Sequence, residues 1–90
     1  MASYSVLIKT SAGKELAAVG SKNDRERLVT RIQGLTTNPR PYGSDKLAGY
    51  ANRYRVRQGN FRIVYLIDDE ANAVTIYKIG HRKDVYRGAA

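Results

Sequence analysis

Residues 3–10, SYSVLIKT, alternate between β-forming apolar and polar side chains, which predicts a first strand. The alternation stops in SAGKELAAVG (11–20), which predicts a short helix closed by Gly20. Ser21 then stands where an N-cap belongs, with Asp24 three residues on and Glu26 also in the first turns, a weak form of the capping box. Leu28, Ile32 and Leu35 recur at helical spacing beside Val29, so a second helix with one apolar face is expected over 22–36. Arg25, Arg27 and Arg31 fall on its other face and read as solvated. Pro39 and Pro41 in TTNPRPYGSD end the helical region.

From Lys46 onward the period shortens to two. NRYRVRQ (52–58), FRIVYLI (61–67) and AVTIYKIG (73–80) predict three strands. Gly59-Asn60 suits a two-residue hairpin turn between the first two, and DDEAN is a longer polar loop before the third. Connections this short imply antiparallel neighbours. The expected fold is α+β: an N-terminal strand, a helical hairpin, then a three-stranded antiparallel meander packed by the helices. There is no repeat, low-complexity run or linker, and 90 residues suit one domain over 1–90.

The two-residue turn fixes a register. Gln58 faces Phe61, Val56 faces Ile63 and Tyr54 faces Tyr65, an apolar side that belongs against the helices. The other side sets Arg57 across from Arg62 and Arg55 across from Val64. Like charges directly opposed on a sheet cost several tenths of a kcal/mol. An anion held between the two guanidiniums reverses that sign, and the arginine fork binds phosphate through two hydrogen bonds. No acid lies between Asp45 and Asp68, whereas Lys46, Arg53, Arg55, Arg57 and Arg62 do. The competing reading is an open sheet face wetted by long side chains, although Val64 and Leu66 share it. A one-residue slip would move every arginine to the other side.

Charge points the same way. Sixteen Lys and Arg against eight Asp and Glu give a formal +8, and a pI near 10.1 indicates a polyanionic partner, most simply nucleic acid. With no cysteine and one histidine, disulfides, thiol chemistry and an ordinary metal site are not expected. No apolar run approaches the ~20 residues of a membrane span, and MASYSVLIKT lacks the basic and apolar regions of a signal peptide. A cytoplasmic protein without a membrane partner is the default expectation.

The last strand runs into YKIGHRKDVYR (77–87). Paired with the strand before it, its end returns beside Phe61 and Arg62, which places His81 and Arg82 near the arginine pair and lets Tyr86 fold over the same surface. Such a cluster suits RNA cleavage. A 2′-hydroxyl must lose a proton, the crowded phosphate must be stabilised, and the 5′-oxygen must leave protonated. Guanidiniums supply charge stabilisation. Histidine is the residue type suited to proton transfer near neutral pH, and His81 is the only one present. Tyr86 could stack on a base or help place the nucleophile.

The segment YRVRQGNFRIVYLIDDEANAVTIYKIGHRKDVYR (54–87) resembles the C-terminal half of RelE-like toxins of the RelE/ParE superfamily. The preceding strand, the helical hairpin and the NPRPYGSDKLAG connector also fit, so the resemblance covers nearly the whole chain. In the RelE branch it implies a bacterial or archaeal toxin that enters the ribosomal A site and cuts mRNA there. It implies no metal and no cofactor. Its partners would be ribosomal RNA, mRNA and a cognate antitoxin that docks an amphipathic helix or strand onto an apolar groove. The toxin alone would be a monomer, and toxin with antitoxin a hetero-oligomer. By this resemblance the two basic positions before the turn are Arg55 and Arg57, and the phosphate-stabilising arginine is Arg62. Arg82 would stabilise the transition state and leaving group, and Tyr86 would stack on the mRNA base. Arg53, Lys46 and Lys83 add RNA- or phosphate-binding charge.

The best-studied members carry lysines at the first two positions, one proposed as general base. Arg57 is a poor base because its guanidinium stays protonated. Electrostatics would therefore come first, with His81 as an acid or base. The alternative within the superfamily is a ParE-like inhibitor of DNA gyrase, for which Arg62 and Arg82 would be structural or would contact protein. A module with a decayed site is a third reading.

Overall fold

A computed structural model describes residues 3–81. Strand β1 spans Ser5–Ile8 and is followed by helices α1 (Thr10–Ala17) and α2 (Lys22–Gly34). Then come β2 (Asp45–Lys46), β3 (Arg53–Gln58), β4 (Phe61–Asp68) and β5 (Ala73–His81). They form one sheet in the order β1-β5-β4-β3-β2. The expected meander is its centre. The N-terminal strand adds to it in parallel, with Ser5 opposite Ala73 and Ile8 opposite Ile76. The two-residue β2, which carries no apolar alternation and was not expected, pairs with β3 on the far side.

The helices cover one sheet face. Leu28 and Leu35 are fully buried and Ile32 nearly so, packed with Val56, Ile63, Tyr65, Ile67, Val74, Ile76 and Ile79 from the sheet. Ser21 caps α2 as its position implies, its hydroxyl accepting a hydrogen bond from the Asp24 amide at 3.2 Å. The arginines of α2 are not uniformly solvated. Arg25 donates to the Val19 carbonyl and so ties the turn between the helices. Arg31 is half-buried, with its Nε unpartnered among the described residues.

Two devices hold the ends of the sheet. Beyond Ile76, β1 gives way to α1 and the edge of β5 would be left open. Glu15 fills that place: its carboxylate accepts from the Ile79 amide at 3.0 Å and pairs with Lys78 at 2.9 Å. At the opposite end Arg40 grips Asp69 with two hydrogen bonds, at 3.1 and 2.8 Å, and donates to the Tyr54 hydroxyl. The Tyr4 hydroxyl donates to the same carboxylate at 2.7 Å. The α2–β2 connector, the β4–β5 turn and the start of β1 thus meet at one carboxylate. Arg40 and then Tyr4 hold the Asp69 carboxyl down at about 2. Its stabilising contribution is complete above the ordinary carboxylate pKa near 4 and is lost as pH falls towards 2. Asp69→Asn should therefore flatten the fall in melting temperature between pH 4 and pH 2, and lower the melting temperature at pH 7.

Candidate functional site

The β3–β4 hairpin has the register that its sequence implies. Gln58 lies opposite Phe61, Val56 opposite Ile63, Tyr54 opposite Tyr65, Arg55 opposite Val64 and Arg57 opposite Arg62. The turn works because Gly59 takes φ 60° while Asn60 keeps a negative φ, which matches the primed turn with glycine first. Asp45 stands opposite Arg55 and extends the row onto β2.

Gly43, Asp45, Arg55, Arg57 and Arg62 line a pocket of about 210 Å³ on the sheet face away from the helices. Arg62 is only 8% exposed, and its Nη1 donates to the Phe61 carbonyl at 3.2 Å. No carboxylate among the described residues pairs with it. Arg57 is exposed and likewise has no ion pair or hydrogen bond among them. Asp45 is the one acid in the pocket, 3.5 Å from Arg55. A buried guanidinium without a counter-ion is costly, and next to a second one it is costlier. An anion in the pocket would relieve both.

His81 does not join this cluster. It lies opposite Phe61 on the helix-facing side, edge-on to that ring at 5.6 Å, and lines a second cavity with Glu15, Val19 and Ile79. The cause is a β-bulge. Tyr65 pairs with Ile76 but Val64 pairs with Lys78, so Tyr77 is an extra residue in β5. Without it the pairing would set Ile79 opposite Arg62 and put His81 on the arginine side. The extra residue turns Ile79 into the core and His81 after it. Lys46 is also on the helix-facing side, exposed and opposite Tyr54. Arg53 does share the arginine face. Arg82, Lys83 and Tyr86 lie outside the described residues.

Sequence reading missed two pocket walls, Gly43 and Asp45, because β2 is too short to show a pattern. Gly43, at φ 91°, was the available signal: a glycine between two prolines and a strand marks a forced turn.

A mixed sheet backed by two helices and carrying a cationic pocket on its open face defines a small α+β module. Residues 6–86 match the family described as ParE toxin of type II toxin–antitoxin system, parDE. Toxin RelG of Mycobacterium tuberculosis is 29% identical over 84 residues, 93% of this chain and 97% of that protein. Among solved structures, a double mutant of E. coli toxin RelE in the free state is 26% identical with a TM-score of 0.78, covering 94% of this chain and 92% of that one. The archaeal RelE–RelB complex from Pyrococcus horikoshii OT3 is 26% identical with a TM-score of 0.79, covering 89% and 96%. The chain belongs to the RelE/ParE superfamily of toxins of type II toxin–antitoxin systems, with a RelE-like structure. No described helix is long and apolar enough to cross a membrane.

Proposed function

We propose that this toxin is a ribosome-dependent endoribonuclease that cuts mRNA in the A site. The observation that carries the reading is the buried Arg62, without an ion pair among the described residues, facing Arg57 across a pocket of small-anion size. In this mechanism the 2′-oxygen attacks the adjacent phosphorus and loses its proton, the P–O5′ bond breaks, and the 5′-oxygen takes up a proton. Arg62 and Arg57 hold the non-bridging oxygens, where negative charge grows as the phosphorus becomes five-coordinate. Arg55, drawn towards Asp45, completes the wall. Arg82 would neutralise the leaving oxygen and Tyr86 would stack on the base.

Among the described residues, no side-chain proton acceptor other than Asp45 lines the pocket. Catalysis then leans on charge stabilisation and on the ribosome holding the 2′-oxygen in line with the bond to be broken. Since His81 stands on the other side of the sheet, His81→Gln should keep single-turnover cleavage within about tenfold of the parent, below the 10²–10⁴ range of a general acid or base.

A cognate antitoxin is the second partner, since relatives are solved as RelE–RelB complexes. An acidic segment would complement the net charge, and its binding should weaken with salt. The ParE family match supports the rival reading, in which the arginine face meets gyrase. Adding the protein to a purified translation system and to a gyrase supercoiling assay separates them. Arrest of translation with supercoiling intact supports the nuclease; loss of supercoiling with translation intact overturns it.

A further inference from the structure

A second group of cations lies on the same open sheet face, away from the arginine pocket. The Arg53 guanidinium is 4.4 Å from the ring centroid of Tyr50 and 4.4 Å from that of Tyr77. The Lys9 ammonium is 4.2 Å from the Tyr77 centroid. Three separate pieces of chain meet here. Lys9 follows β1 where it has just paired Ile8 with Ile76, Tyr77 is the residue that the β5 bulge extrudes, and Arg53 begins β3.

Two cations converge on one ring, and neither has a carboxylate partner among the described residues. Asp68, the nearest acid along β4 on this face, accepts from the Ala71 amide in its own turn. Cation–π attraction to Tyr77 offsets part of the repulsion, but one ring shared by two positive charges leaves a surplus. Tyr50 is 40% exposed, and Leu7, two-thirds exposed, extends the surface at the β1 edge. Interleaved rings and unpaired cations are what a single nucleic-acid strand uses, bases on the rings and phosphates on the cations. Arg53 stands four residues from Arg57 along β3, about 13 Å at strand spacing. That is further than one nucleotide reaches, so the two cation groups would touch different nucleotides of one strand.

We infer that Lys9, Arg53, Tyr50 and Tyr77 form a second single-stranded RNA contact, which grips the strand whose phosphate sits at Arg57 and Arg62. The inference rests on the RNA reading of the arginine pocket but uses residues outside it. Its test is binding of 2′-O-methyl oligoribonucleotides, which cannot be cleaved, by fluorescence anisotropy. One probe is a dinucleotide that reaches a single cation group; the other is long enough to span both.

The Lys9→Gln/Arg53→Gln double variant should bind the long probe roughly tenfold more weakly, through the loss of two phosphate contacts. The slope of log affinity against log salt should fall by about 1.4, the counterions of two phosphates on a single strand. Its affinity for the dinucleotide should fall by less, because that probe can still occupy the arginine pocket. Arg53→Lys, which keeps the charge, should retain most of the salt slope and so exclude a folding defect. Arg57→Gln/Arg62→Gln should weaken both probes. If only the arginine-pocket variant weakens the long probe, the second contact is overturned and the pocket stands. If only the Lys9/Arg53 variant weakens it, the second contact stands and the pocket reading fails. If neither does, both fall.

Discussion

Arg62→Leu is expected to lower single-turnover cleavage by about 10²–10³-fold while leaving the folded protein at least as stable as the parent. The two effects have one cause. In the free protein the Arg62 side chain is buried, faces Arg57 and pairs with no carboxylate among the described residues. Its only described acceptor is the Phe61 carbonyl. Leucine at that position loses no ion pair with a described residue and removes a charge opposite Arg57, so the melting temperature should hold or rise. In the proposed reaction the same charge would be aimed at phosphate oxygens whose negative charge grows. Removing one such preorganised donor costs about 3–4 kcal/mol of transition-state stabilisation, which is the stated loss in rate. Opposite movements of activity and stability are the signature of a functional site held against its own repulsion. A variant that lost both together would point to a structural arginine instead. The two measurements are cleavage on programmed ribosomes and thermal unfolding by circular dichroism.

The second large effect concerns Tyr65, the largest fully buried side chain among the described residues. Its ring stacks near that of Tyr54, with centroids 6.1 Å apart, and its hydroxyl donates to the Pro39 carbonyl at 2.8 Å. Burial pushes its phenol up to about 12, so it stays a donor at any working pH. Tyr65→Ala should cost about 3–5 kcal/mol, a large part of the roughly 5–15 kcal/mol that holds a domain together. Tyr65→Phe should cost about 1–3 kcal/mol, because the buried Pro39 carbonyl loses its donor. It should also weaken activity, since Pro39 anchors the connector that supplies Gly43 and Asp45 to the arginine pocket. Urea unfolding of the two variants, with cleavage measured on the phenylalanine form, checks both parts.

Most of the sheet was legible because its signals are local. The Gly59-Asn60 turn and the alternation on either side fix the β3–β4 register, and with it the Arg57–Arg62 pairing. Helix α2 was legible from Leu28, Ile32 and Leu35 and from the Ser21 cap. The position of His81 was not, because it depends on a single extra residue in β5. Tyr77 looks like any strand tyrosine; it is extruded because Ile79 then reaches the core, a demand set by packing across the sheet. Strand β2 was hidden for a different reason: two polar residues carry no period, and Asp45 and Lys46 are strand only because β3 offers them an edge. The Arg40–Asp69–Tyr4 junction joins residues far apart in sequence, and nothing local marks it.

On the proposed mechanism, the arginine face binds the scissile phosphate of mRNA on the ribosome. The most direct test of this is primer extension on mRNA bound to 70S ribosomes with an occupied P site and an open A site, with free mRNA alongside. The expected result is a cut within the A-site codon that requires the ribosome and nearly vanishes with Arg62→Leu. Intact mRNA on ribosomes treated with a folded toxin that still arrests growth would contradict the account.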